Sequence, residues 1–88
     1  MANFMGGSAP AMAAQISDGY ILVSAATLRG YSVGDLQNLR LELDKLLRAT
    51  RAETPPADDA QANAGRNRRI ARLSSAMQVV GAQITTSR

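Results

Sequence analysis

Within residues 32–56 the chain carries the start, the body and the stop of one amphipathic helix. Ser32 stands three residues before Asp35. At that spacing a hydroxyl accepts a backbone N–H at the helix start, while the carboxylate reaches back to the cap or complements the positive end of the dipole. At about 100° per residue, Leu36, Leu39, Leu43, Leu46, Leu47 and Thr50 fall within a stripe roughly 100° wide, with Asn38, Glu42 and Lys45 opposite. Pro55-Pro56 closes the segment, because neither proline extends a helix and the residue before a proline is pushed out of the helical region. A helix is therefore expected over 32–52. Leu41 projects away from the stripe into the polar side, either as an ordinary exposed leucine or as a second contact surface.

Such a helix needs something to pack against, and 88 residues supply one domain at most. A chain of this length buries a smaller share of its surface than a larger domain, so its core is thin and its stability leans on partners. With one Phe, two Tyr and no Trp, the core has to come from Leu, Ile, Val, Met and Ala, which suits helix-on-helix packing. From Ala11, the residues Met12, Ile16, Tyr20, Val23 and Thr27 step by four and three along one helical face, which predicts a first helix over 11–29 with Gly30 as its left-handed cap. Asp18-Gly19 is the weak point of that reading. A turn there, followed by Tyr20-Ile21-Leu22-Val23, leaves a short β-hairpin within 19–31 as the alternative.

After the 53–57 connection a third helix is expected over about 58–84, with Asp58 and Asp59 near its positive end; Thr54 could cap it with Pro55 at its first position, or its start could fall closer to Gly65. Ile70, Leu73, Met77, Val80 and Ile84 line one face of it, and Arg68, Arg69 and Arg72 are read as clustered on the other. The whole is a mostly α, three-helix arrangement in a single domain over 11–84. Residues 1–10 form a flexible arm bearing the apolar Phe4 and Met5, and 85–88 a frayed tail.

Several function classes are disfavoured by what the chain lacks. Without Cys or His there is no thiolate nucleophile, no disulfide framework and no side chain that titrates near neutrality when unperturbed. Lys45 is the only lysine and lies on the wet face of its helix, not in the desolvated pocket that an amine nucleophile needs. Asp58 and Asp59 lack the ligand spacing of a calcium loop, helix capping accounts for them, and no glycine run forms a phosphate cradle. No catalytic residue, cofactor or metal is expected, and the chain is read as a non-enzyme. The first fifteen residues have no basic start followed by an apolar core, and the apolar run over 20–28 is far shorter than the ~20 residues a membrane span requires. The expectation is a protein that is neither secreted nor membrane-spanning.

The net charge of +3 is unevenly placed: residues 66–88 hold Arg66, Arg68, Arg69, Arg72 and Arg88 and no acid. Nine of the ten cations are Arg, a side chain suited to planar contacts with carboxylate or phosphate. The cluster therefore has three readings: a solvated or internally paired face, a contact for an acidic protein, or a contact for nucleic acid phosphates.

The motif Ser32-Val33-Gly34-Asp35-Leu36, followed by Glu42-Leu43-Asp44, resembles the second-helix motif of the W family, the small head–tail joining proteins of tailed phages. The order of an Ala-rich first segment, an ambiguous 19–31 stretch, a capped helix and an Arg-rich end is similar as well. The chain differs in carrying a third amphipathic segment, 66–84, where that family has a short tail. The resemblance implies a structural subunit of a virion, repeated in a ring and wedged between neighbours, located in the virion or the host cytoplasm. Partner contacts would then fall to Phe4, Met5, Leu41, Arg66, Arg68, Arg69 and Arg72. The alternative is a small Arg-rich nucleic-acid-binding or helical adaptor protein.

Overall fold

The computed structural model describes residues 4–87. Three helices make the fold: α1 (Ala9–Ser17), α2 (Val33–Ala52) and α3 (Ala60–Ser87). The mostly α, three-helix expectation holds, and the hairpin considered for 19–31 is absent, since no strand occurs among the described residues.

The second helix follows its sequence signals closely. The Asp35 N–H donates to Ser32 Oγ at 3.0 Å, and the Ser32 N–H donates to Asp35 Oδ2 at 3.1 Å, so two orphan donors are satisfied reciprocally. Leu36, Leu39, Leu43 and Leu47 are buried, as is Thr50, while Leu46 is half-buried against the core.

The first helix starts two residues earlier than expected and ends twelve earlier. Ser8 caps it, its Oγ accepting the Ala11 N–H at 3.2 Å, and Pro10 stands in the first turn, where a missing N–H costs no helical bond. Its end lies at Asp18-Gly19. The Tyr20 N–H donates to Gln15 O at 2.9 Å and the Gly19 N–H to Ile16 O at 3.1 Å, a Schellman closure that needs the left-handed backbone Gly19 adopts at φ +86°. The four-and-three periodicity therefore runs through a break: Met12 and Ile16 are buried on α1, but Tyr20 lies beyond its end and points to solvent.

Residues 21–31 make no regular element, yet they deliver a core side chain. Ser24 and Thr27 cross-bond, Ser24 N–H to Thr27 Oγ1 at 2.8 Å and Thr27 N–H to Ser24 Oγ at 3.3 Å, and set up a turn closed by the Leu28 N–H on Ser24 O. Leu28 is fully buried as a result. It joins Met12, Leu36, Leu39, Leu43, Leu73 and Val80, each contributing roughly 1.5–3 kcal/mol if transferred wholly out of water. Tyr31 then ties the N-terminal arm down. Its ring meets that of Phe4 edge-on at 5.4 Å, and its hydroxyl donates to Met12 Sδ at 3.6 Å and accepts the Met5 N–H at 3.3 Å.

The third helix begins at Ala60, with Asp59 Oδ1 accepting the Ala62 N–H at 3.0 Å in the manner of a cap. Asn63 Nδ2 donates to Pro56 O and Asp59 O, both at 2.8 Å, and fastens the proline connection to the helix it precedes. Leu73, Ala76, Val80 and Ile84 are buried along one face. Thr85 and Thr86, expected to fray, stay helical with their hydroxyls donating to Gly81 O and Ala82 O, while Arg88 lies outside the described residues.

Urea denaturation should rank three substitutions in a fixed order. Leu43→Ala is expected to cost about 3 kcal/mol through its cavity, Ser32→Ala about 1 kcal/mol through the lost cap, and Leu41→Ala less than about 0.5 kcal/mol because its side chain supports no core contact. Equal costs at positions 41 and 43 would contradict this packing.

Candidate interaction surface

The arginines of α3 divide by helical angle. Arg66 lies two turns upstream of Leu73 and, with Arg69, prolongs the core stripe as its polar end; Arg72 borders the stripe, and Arg68 points the opposite way. The reading that placed Arg69 and Arg72 together with Arg68 on an outer face is thus corrected, because the stripe continues upstream of Ile70 through Arg69, and Arg72 lies on its border.

Each inward arginine finishes another element. Arg66 Nε donates to Thr50 O at 3.1 Å and its Nη2 to Arg51 O at 2.8 Å, so one guanidinium takes two carbonyls from the last turn of α2. Arg69 Nη2 meets Glu53 Oε1 at 2.7 Å, directly after that helix. Arg72 Nη1 donates to Ser17 O at 3.1 Å and so closes the C-terminal end of α1. A cation at a helix C-terminus satisfies orphan carbonyls and opposes the negative end of the dipole at once. Because α3 begins at Ala60, the arginines stand beyond its first turn, away from the positive end of its dipole.

Of the residues singled out as partner contacts, the structure therefore directs Arg66, Arg69 and Arg72 inward and leaves Arg68 exposed. Phe4 is half-buried on Tyr31, while Met5 is 44% exposed. Leu41 is 53% exposed, as its helical angle implied, and sits in a shallow depression with Gln37, Arg40, Asp44 and Met77. These residues do not form one site: the arginine ends, the arm and Leu41 occupy different parts of the molecule.

Among the described residues, the largest apolar exposure falls outside the contact candidates read from the sequence. Tyr20 is 81% and Leu22 83% exposed, while the intervening Ile21 and the following Val23 are half-buried against the core. Burial thus alternates with the period of a strand, although the segment pairs with none. No described residue bonds the backbone N–H of Leu22 or Val23. The signal was present in the Asp18-Gly19 break followed by an uncharged Tyr-Ile-Leu-Val run; assigning that run to a helical face concealed it. Beside it, residues 21–23 and α3 enclose an open apolar groove.

Among the described residues no group of three or more His, Cys, Asp or Glu could hold a metal ion, and no helix is long and apolar enough to cross a membrane. Compared with protein-family models, curated proteins and solved structures, the chain matches none.

Alanine substitution separates the arginines. Arg66→Ala is expected to destabilise the protein by about 1.5–3 kcal/mol, the range for hydrogen bonds to a charged group. Arg68→Ala should change stability by less than about 0.5 kcal/mol. Thermal and urea unfolding check both, and the opposite order would contradict the inward placement.

Proposed function

We propose that this protein is a non-enzymatic structural subunit of a multi-protein assembly, acting by apolar packing against neighbouring subunits. The observation that carries the reading is the pair Tyr20 and Leu22, both more than four-fifths exposed on a fold whose core is thin. A small domain gains nothing for its own stability from two large apolar side chains in water, whereas a neighbour that covers them removes that area from solvent. Leu41, on a different face, supplies a second contact, which is the arrangement a subunit with more than one neighbour requires.

The specific form of this proposal is a tailed-phage head–tail connector, repeated in a ring within the virion. Its support is the likeness of Ser32-Val33-Gly34-Asp35-Leu36 to the W-family motif, together with a fold whose polar ends are tied internally. The nucleic-acid alternative loses support from the same geometry. Three of the four clustered arginines already meet carbonyl or carboxylate partners, which leaves Arg68 as the exposed member of the cluster.

Leu22→Glu and Leu41→Glu touch no buried position, so both variants should retain helical circular dichroism and unfold within about 0.5 kcal/mol of the wild type. Both should nevertheless leave the particle fraction when lysates of the source cells are sedimented, in contrast to the wild type. A wild-type protein that sediments as a folded monomer apart from every particle would overturn the proposal, and loss of folding in either variant would contradict the exposure on which it rests.

A further inference from the structure

The groove beside Tyr20 and Leu22 has a volume near 250 Å³, walled by Ile16, Ile21, Val23, Ala76 and Val79. That is below the ~300–1,000 Å³ of typical small-molecule pockets and suits one or two apolar side chains. Among the described residues, Arg72 is the only charged one lining it.

The position of Arg72 is fixed from one side. One nitrogen holds Ser17 O, and the guanidinium lies so close to Gly19 that a Cβ there would stand 2.9 Å from Arg72 Cζ. A guanidinium carries five N–H donors, and the bond to Ser17 uses one of them. Unlike Arg48 and Arg69, Arg72 has no carboxylate partner among the described residues. A half-buried cation with no carboxylate partner among the described residues therefore lines a groove that is otherwise uncharged there and, apart from Ser75, apolar.

Building on the assembly reading, we infer that this groove receives a segment of a partner protein in which one or two apolar side chains stand beside a carboxylate. The apolar groups fill the walls between residues 21–23 and α3, and the carboxylate accepts from the free N–H groups of Arg72, a charge-assisted pairing about twice as strong as a neutral hydrogen bond. A single cation beside apolar walls is poorly matched to a polyphosphate backbone, which calls for several cations and carries no apolar side chain.

Two short peptides, acetyl-Leu-Ala-Leu-Glu-amide and acetyl-Leu-Ala-Leu-Gln-amide, isolate the carboxylate when titrated into ¹⁵N-labelled protein. The Glu peptide should shift backbone amides within 16–23 and 71–79 and bind at least threefold more tightly than the Gln peptide. Ser75→Trp, placed at an exposed position on the groove rim, should abolish the shifts while leaving the rest of the spectrum in place. Arg72→Gln, with its fold checked by the same spectrum, should make the two peptides equivalent. Equal binding of both peptides to the wild type, or shifts lying outside the groove, would overturn the inference. If neither peptide binds while Leu22→Glu still leaves the particle fraction, the groove assignment fails and the assembly reading stands. Selective binding by a protein that joins no particle supports the groove and removes the assembly reading.

Discussion

A helix ends in carbonyls that have lost their partners, and in a chain this short two helices end close to the third. Arg66, Arg69 and Arg72 on α3 supply the donors those ends require, on Thr50, Arg51, Glu53 and Ser17. The leucines of α2 and the Leu73–Ile84 stripe of α3 provide the burial, and their interdigitation sets how the helices cross. Directional bonds from one helix to the ends of the other two fix where each stops. The Arg72 guanidinium also packs against Gly19, whose left-handed backbone terminates α1 and which carries no Cβ to displace it. One glycine thus both terminates α1 and admits the side chain that holds that terminus.

This division of labour shapes what remains for partners. With the basic cluster largely engaged inside the molecule, the outward features suited to packing include Tyr20 and Leu22 beside the groove and Leu41 on the far side of the leucine stripe, while Arg68 stays exposed. The irregular 21–31 stretch is held without regular backbone pairing by the Ser24–Thr27 turn, the burial of Leu28 and the tethering of Tyr31 to Phe4 and Met12. It presents its outward side chains from a fixed base.

How far the sequence could be read depended on the range of the signals. The second helix was legible throughout because cap, stripe and stop are local: Ser32 and Asp35 bond each other, the leucines repeat along one face, and two prolines follow. The body of α3 was legible for the same reason, although its arginines were not, since their partners lie 15 to 55 residues away in sequence. The end of α1 was misplaced because apolar periodicity continued by coincidence through Tyr20 and Val23, while the decisive signal, Asp18-Gly19, competed with it. Leu28 gave no periodic cue at all; its burial follows from a side-chain turn that is recognisable only once Ser24 and Thr27 are seen to bond. Of the candidate contact residues, Leu41 was legible because helical angle alone exposes it, whereas Tyr20 and Leu22 required knowing where α1 stops.

The inward engagement of the basic cluster of α3 can be measured at the guanidinium groups themselves. Nuclear magnetic relaxation of the arginine side-chain Nε–Hε pairs reports their motion on the ps–ns timescale, residue by residue. Arg66, Arg69 and Arg72 should show rigid side chains and hindered guanidinium rotation, in contrast to Arg68. If Arg66 and Arg72 prove as mobile as Arg68, the helix ends are not held in this way and the cluster is free for an external partner.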